Sequence, residues 1–396
     1  MRNLGSLGIV TIAAAAVLGA VNGCSSSAAK PSDGGASDGP VALAVTHPNP
    51  LISTAGHVYP ATAGNLIEGN YHVGNWDVGT TFPSSAAIKL TPGPTRLLLS
   101  WDDGGTYNYQ DPTTTTVYGF PGAYTIETSA NSTTGTDGDW NNVVTVTGNQ
   151  VRTRAHSFDF TGMTWVRMTI TAAPPNESSN GVELGQIDVH DISATGTGLP
   201  DDTWFFMGDS ITAFAYDRSA AHQPSFAASI HAAFPSYFPA MINGGIGGET
   251  SSDGLARLAA DLLLNPDYRF FLLGYGTNDA AGDQVPVATF QSNLQSMIDM
   301  VKAAGRIPIM PHIPYSGDGN HDDIPTYNAA IDALTASNGL PTGPDFYTYF
   351  MTNAATAFTC GCSGGRTTDN LHPNDVGLQE MNTLWATAPA ITALYH

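Results

Sequence analysis

The stretch Trp204-Phe205-Phe206-Met207-Gly208-Asp209-Ser210-Ile211-Thr212 decides how the rest of the chain is read. Trp204 to Met207 is a short apolar run closed by a glycine, the pattern of a buried strand. Asp209 and Ser210 follow at the C-terminal edge of that strand. In an open α/β sheet this edge is where ligands bind. A serine there has a rigid strand behind it and a crevice in front, a mounting suited to a hydroxyl nucleophile. Taken alone, Gly-Asp-Ser reads as a turn, so the chemistry has to be carried by what lies downstream.

Downstream, short apolar strands alternate with longer helices. Strands are expected at Met241-Ile242, Arg269–Leu273 and Ile307–Met310. Helices are expected at Ser225–Phe234, Leu255–Leu264, Val287–Ala304, Ile324–Leu334 and Val376–Trp385. The clearest is the middle one, with Phe290, Leu294, Met297, Ile298 and Val301 on one face. Such alternation predicts a parallel sheet covered on both faces.

Three further stretches sit at loop positions around that sheet. Asn243-Gly-Gly-Ile-Gly-Gly-Glu-Thr250 follows the second strand, and its glycines let backbone N–H groups approach a ligand closely. Gly274-Tyr-Gly-Thr-Asn-Asp279 follows the third strand and offers the side-chain amide of Asn278. Asp369-Asn-Leu-His-Pro373 precedes the last helix. Ester hydrolysis needs a nucleophile (Ser210), a base (His372), a carboxylate to orient and charge-stabilise it (Asp369), and donors for the oxyanion. The donors assigned are the backbone N–H groups of Ser210 and Gly248 and the amide of Asn278. Tyr275, His312 and Tyr315 are candidate substrate-pocket residues, with packing or surface roles as the other reading. Asp209 and Asp279 are read as structural carboxylates. Gly361-Cys-Ser-Gly-Gly365 also fits a nucleophile-elbow pattern. No strand leads into it and no helix leaves it, so Ser363 is set aside.

The blocks Gly208-Asp-Ser-Ile211, Gly248, Gly276-Thr-Asn278 and Asp369-x-x-His372, in this order, resemble the SGNH (GDSL-type) hydrolase family. The resemblance covers about Asp201 to His396. It implies a three-layer α/β/α, flavodoxin-like domain, a Ser-His-Asp triad, and neither a metal nor an organic cofactor. The second block has Gly247-Gly248-Glu249 where Ser-Gly-Asp is common in some relatives, so Gly247 is the alternative oxyanion glycine.

Upstream the pattern changes. From Val41 to Ser193, β-branched or alternating runs recur between Gly, Pro, Asn and Asp clusters: Thr95–Trp101, Ala123–Thr128, Val143–Thr147, Val151–Phe158, Trp165–Thr171 and Val182–Val189. Short strands at this spacing predict an all-β sandwich. Ala123-Tyr-Thr-Ile-Glu127, Asp139-Trp140, Trp165–Ile170 and Gln186-Ile-Asp-Val-His190 resemble a discoidin-like, galactose-binding-type jelly roll. That resemblance implies carbohydrate binding. Trp76, Tyr107, Tyr109 and Tyr118 are candidate sugar platforms, against rim or core packing. Residues 194–202 read as a linker to the hydrolase-like domain at 203–396.

The N-terminus reads as a targeting segment. Arg2 precedes the apolar run Leu7–Val21, too short to span a bilayer stably. Val21-Asn-Gly-Cys24 resembles a bacterial lipoprotein signal, which implies removal of residues 1–23 and lipidation of Cys24. An ordinary secretory signal is the alternative. Residues 24–40 are Ser-, Gly-, Ala- and Asp-rich and read as a disordered tether. Cys360 and Cys362 remain; in an exported protein a pair defaults to a disulfide, although one intervening residue makes a strained ring.

Composition narrows the partners. Over 396 residues the formal net charge is −21, with only 13 Lys+Arg. Nucleic acid is excluded, since it needs a basic footprint. A membrane is met only through the lipid anchor. The expected substrate is an acylated polysaccharide or a small ester, at the bacterial cell envelope. A lipid-directed esterase or lysophospholipase, and a non-catalytic glycan-binding lipoprotein, are the competing readings. Phe205, Phe206, Phe214 and Tyr216 do not decide between the first two.

Overall fold

The structure is a computed structural model and describes residues 43–48, 50, 52, 54–58, 76–102, 119–174, 181–216, 220–358 and 369–396. The signal, Cys24, the tether, Tyr107, Tyr109, Tyr118, Cys360, Cys362 and Ser363 lie outside the described residues.

The first described strands are β1 (Thr54–Val58), β2 (Trp76–Gly79), β3 (Ser84–Leu90), β4 (Arg96–Asp102), β5 (Ala123–Ser129), β6 (Asn141–Val146), β7 (Thr153–Asp159), β8 (Trp165–Ala172), β9 (Val182–Leu184) and β10 (Gln186–Asp191). They form a five-stranded sheet, β1-β3-β8-β5-β6, and a three-stranded sheet, β10-β4-β7, while β2 pairs with β9. Every pairing in the three is antiparallel. Period-two alternation explains the core between the sheets. Tyr124 and Ile126 of β5 and Val166, Met168 and Ile170 of β8 meet Leu97, Leu99 and Trp101 of β4 there. Trp76, a candidate sugar platform, is fully buried in this core, because β2 carries it inward. The run Val182–Val189 is broken into two strands at Gly185.

The second half opens with β11 (Thr203–Gly208) and α1 (Ser210–Ala215), followed by α2 (Phe226–Ala233), β12 (Ala240–Gly245), α3 (Ser251–Leu264), β13 (Phe270–Gly274), α4 (Thr277–Ala280), α5 (Val287–Ala303) and β14 (Ile307–Ile309). Then come α6 (Ile324–Asn338), α7 (Phe346–Thr352), α8 (Ala354–Ala357), α9 (Asp375–Thr387) and α10 (Pro389–Thr392). The four strands form a parallel sheet in the order β12-β11-β13-β14. A single parallel bridge, Met310 to Thr342, lies beyond β14.

This sheet is buried on both faces, as a parallel sheet requires. Alternation along each strand divides the apolar residues between two cores. Phe205, Met207, Ile242, Phe271 and Leu273 face helices α3, α5 and α6 through Leu258, Leu294, Met297 and Ile331. Trp204, Phe206, Met241, Phe270 and Leu272 face α2, α7 and α9 through Phe226, Ile230, Phe350 and Trp385. The chain runs from β11 to β12 on one side, then crosses to β13 on the other. The strand order therefore reverses at β11, which puts a crevice at its C-terminal end.

The junction between the halves is packed. Leu98, Val151, Ala155 and Ile192 from the sandwich side belong to the same apolar core as Phe205 and Ile242. Leu97 and Leu99 face the sandwich interior while Leu98 faces the parallel sheet, so β4 is buried on both sides. Ser157 donates to Asp267 from its backbone N–H at 3.2 Å and from its hydroxyl at 2.8 Å. The expected linker is also structural: Asp202 accepts from Trp204 Nε1 and Tyr395 Oη, each at 2.8 Å. Residues near the expected start of the sandwich join the other half, with Val45 N–H donating to Leu394 O at 2.7 Å.

Candidate active site

Three glycines lie side by side where three strands end: Gly208 is in register with Gly245 on β12 and with Gly274 on β13. A Cβ on Gly208 would collide with Gly274 O and the Thr212 side chain, so only glycine allows this approach. Beyond it, Asp209 caps α1 by accepting from Ile211 N–H at 2.9 Å. Burial pushes the Asp209 carboxyl up to about 7, against the hydrogen bonds from Ile211 and Thr277. Its Oδ1 is thus spent on the turn that aims Ser210.

Ser210 Oγ lies 2.9 Å from His372 Nε2. His372 Nδ1 lies 2.7 Å from Asp369 Oδ2. The other Asp369 oxygen accepts from the N–H groups of Leu371 and His372 at 2.9 and 2.8 Å. Partial burial pulls the Asp369 carboxyl upward, but the bonds from His372 and these N–H groups outweigh it and hold it below the usual range. Nδ1 must therefore carry its hydrogen toward Asp369, which leaves Nε2 as an acceptor for the Ser210 hydroxyl. Ser210 and His372 are half-buried and Asp369 is exposed, so the line runs from the sheet edge out to solvent.

The loop carrying these two residues is itself clamped. Asn370 has φ 56°, in the left-handed region that asparagine tolerates better than most residues. Its carbonyl accepts from Gly317 N–H at 2.9 Å and from Ser316 Oγ at 3.1 Å. Phe214 packs edge-on against the imidazole, with ring centroids 5.5 Å apart. The sequence reading assigned no site role to Ser316, Gly317 or Asn370. An asparagine inside Asp-x-x-His is the one local signal that would have pointed to the strained turn.

The expected oxyanion donors lie on the neighbouring loops. Gly248 has φ +80° and is exposed just past β12, and open space surrounds the position a Cβ would take. Asn278, on α4, donates from Nδ2 to Glu249 O at 2.8 Å. Nδ2 carries two hydrogens, so this bond leaves one for a developing negative charge. Asp279 is spent on α3, accepting from Ser251 N–H at 2.9 Å.

The candidate pocket residues separate. Tyr275 is buried, and its hydroxyl is held by Glu249 and Arg257 at 3.0 and 2.9 Å. His312 lies between Asp332 and Asp345, at 2.9 and 3.1 Å. Both residues line a small cavity of ≈ 20 Å³ that Asp209, Thr212 and Trp385 also line. Neither Ser210 nor His372 lines it. Tyr315 instead stands beside the loop at Asn370 and makes an edge-to-face pair with Tyr347 at 5.9 Å. Among the described residues, no group of three or more His, Cys, Asp or Glu side chains is arranged to hold a metal ion.

Residues 206–379 match the model of the GDSL-like lipase/acylhydrolase family. No curated protein sequence matches the chain. Similar solved structures include a lipase/acylhydrolase from Enterococcus faecalis, 26% identical with a TM-score of 0.37, covering 46% of this chain and 92% of that one. The esterase EstA from Pseudoalteromonas is 19% identical with a TM-score of 0.38, covering 47% and 96%. An acetylxylan esterase from Geobacillus stearothermophilus is 19% identical with a TM-score of 0.38, covering 48% and 94%. With the strand-end serine and its neighbours in place on a parallel sheet, and the family model spanning the same residues, the chain carries at 206–379 a GDSL-like lipase/acylhydrolase domain and is a serine ester hydrolase.

Proposed function

We propose that the protein removes short acyl groups, acetyl foremost, from a carbohydrate at the bacterial cell envelope, through a triad of Ser210, His372 and Asp369. The observation that carries the mechanism is the continuous contact from Ser210 Oγ to His372 Nε2 at 2.9 Å and from Nδ1 to Asp369 at 2.7 Å. The Ser210 hydroxyl attacks the ester carbonyl while His372 Nε2 takes its proton. Gly248 N–H, Ser210 N–H and the Asn278 amide receive the oxyanion. His372 then protonates the departing sugar oxygen, and the C–O bond breaks to leave an acyl-serine. Water adds to that acyl group, giving its proton to His372, and the carboxylic acid leaves as the Ser210 hydroxyl is restored.

The preference for a short acyl group is supported by where the aromatic residues go. Phe205, Phe206 and Tyr216 are buried in the two cores. Among the described residues, the aromatic ring packed against the imidazole is Phe214. A long acyl chain needs a continuous apolar groove, and the cavity that Phe206 and Tyr216 line beside Asp209 is small, ≈ 20 Å³. The sugar preference is supported by the fused β-sandwich and by the family neighbour named for acetylxylan. Attachment through a lipid on Cys24 would keep the enzyme beside envelope polysaccharide, with no other membrane contact required.

The test is acyl release from a panel of acetylated polysaccharides beside long-chain acyl esters, with Ser210→Ala as the control. Acetyl release should dominate, and Ser210→Ala should lower turnover on the order of 10⁴-fold or more with folding unchanged. Faster release of long-chain acids would replace the carbohydrate reading with a lipid one, and near-full activity in Ser210→Ala would remove the mechanism.

A further inference from the structure

Arg257 is one of only 13 lysines and arginines in the chain, and it is almost wholly buried, with its side chain 12% exposed. It sits on α3, directly after the glycine-rich loop that follows β12. Its guanidinium reaches both ends of that loop. Nη2 donates to Gly244 O at 2.7 Å, on the last residues of β12. Nε donates to both Glu249 carboxylate oxygens, at 2.9 and 3.0 Å, on the far side of the loop. Nη1 is tied to Asp261 at 2.5 Å, one turn along the helix. Nη2 also reaches the Tyr275 hydroxyl at 2.9 Å, and that hydroxyl donates to Glu249 at 3.0 Å.

The helix that presents Arg257 is anchored where the loop ends. Thr250 and Asp253 form a reciprocal capping box, and Ser251 bonds to Asp279. Gly254 is a glycine because the Tyr275 ring occupies the place of its Cβ. The backbone of Glu249 is held from the other direction as well, since its carbonyl accepts from Asn278 Nδ2 at 2.8 Å. One residue, Glu249, is thus gripped through its carboxylate by Arg257 and through its carbonyl by Asn278. The residue immediately before it, Gly248, carries the expected donor N–H.

The geometry points to Arg257 as the positioning residue of the oxyanion loop: it staples Gly244 to Glu249 so that Gly248 N–H and the Asn278 amide stay aimed at one point. This rests on the serine-esterase reading above, because it assigns a function to donors that only an acyl transfer would use. The physical need is clear. The segment Gly244–Glu249 has four glycines, two ending β12 and two in the loop, and loses much backbone freedom on being ordered, while an oxyanion hole works only if its donors are fixed before the charge appears. A planar guanidinium with five N–H donors can span a carbonyl and a carboxylate at once, whereas an ammonium cannot.

The experiment compares Arg257→Lys, Glu249→Gln and Tyr275→Phe with the full-length enzyme on p-nitrophenyl acetate. Turnover is expressed per serine titrated with a phosphonate ester, and thermal unfolding is recorded beside it. Arg257→Lys should lower kcat about 10- to 100-fold while KM moves less than about threefold, and phosphonylation of Ser210 should slow in parallel. Glu249→Gln should lower kcat about 3- to 30-fold, and Tyr275→Phe less, which keeps the test alive if Arg257→Lys does not fold. In the double variant Arg257→Lys, Asn278→Ala the two losses should combine to less than their product, because both act on the same donor set. A lowered melting temperature with unchanged kcat per titrated serine would reduce Arg257 to a purely structural role and overturn the inference. Ser210→Ala separates the two levels. If it is inactive while Arg257→Lys turns over normally, only the staple fails; if it stays active, the catalytic reading itself fails.

Discussion

Replacing Asp369 by asparagine probes the proton path with the smallest change of shape. In the native loop one Asp369 oxygen accepts from the N–H groups of Leu371 and His372, and the other faces His372 Nδ1 at 2.7 Å. An asparagine keeps the first role only by giving its carbonyl to those N–H groups. Its NH2 then faces Nδ1, which must become an acceptor. The ring hydrogen moves to Nε2 and points at Ser210, so the imidazole can no longer take the serine proton. The charge is lost too. At 2.7 Å, with an effective dielectric constant of about 40 to 80 for this partly exposed pair, attraction to the imidazolium is worth about 1.5 to 3 kcal/mol. The tautomer adds a comparable amount, so the sum of about 3 to 6 kcal/mol corresponds to a loss of about 10²- to 10⁴-fold in kcat. The assay is kcat and kcat/KM against pH on a soluble acetyl ester, with circular dichroism to verify folding. Asp369→Asn retaining more than about a tenth of the native kcat would show that this carboxylate neither sets the tautomer nor steadies the imidazolium, and the triad would be refuted.

Other expectations concern the framework. Leu98 is fully buried in the core shared with Phe205 and Ile242, so Leu98→Ala should cost about 2 to 5 kcal/mol. Its effect should appear in thermal inactivation of the esterase, and loss of sandwich structure at an unchanged inactivation temperature would show that the halves unfold separately. Asp202 is wholly buried, and burial pushes its carboxyl up to about 7, against the bonds from Trp204 and Tyr395. The folded protein then binds the proton more tightly than the unfolded chain, whose aspartates titrate near about 4. Stability should therefore be greatest below that range and fall as pH rises through it to about 7. Asp202→Asn should flatten part of this slope in denaturant titrations from pH 5 to 8; an identical slope in the variant would place the proton elsewhere.

Much of the α/β half is legible one residue at a time. A four-residue apolar run closed by glycine names the strand, because a parallel strand buried on both faces has no polar position to spare. Ser210, His372 and Asp369 stand out because their chemistry depends on residue type, and Asp369 and His372 are close enough in sequence to meet within one turn. Short-range rules also place most strands of the sandwich, where alternation reports one buried face. They fail at Trp76, since an aromatic residue between turn signals looks the same whether it points to solvent or to a core.

The sequence by itself determined the four strands of the parallel sheet, most strands of the sandwich, the five longest helices and the three residue types of the proposed triad, since periodicity and side-chain chemistry are local properties. Only the tertiary structure decided that Leu98 belongs to the other half's core, and that Ser316 and Gly317 hold the turn at Asn370. It alone brings Arg257 to both ends of the glycine loop. Each of these depends on elements far apart in the chain, or on the direction a buried side chain takes once its neighbours are packed. Neither distance in space nor direction of burial is written in the order of the residues; both are set when the layers close.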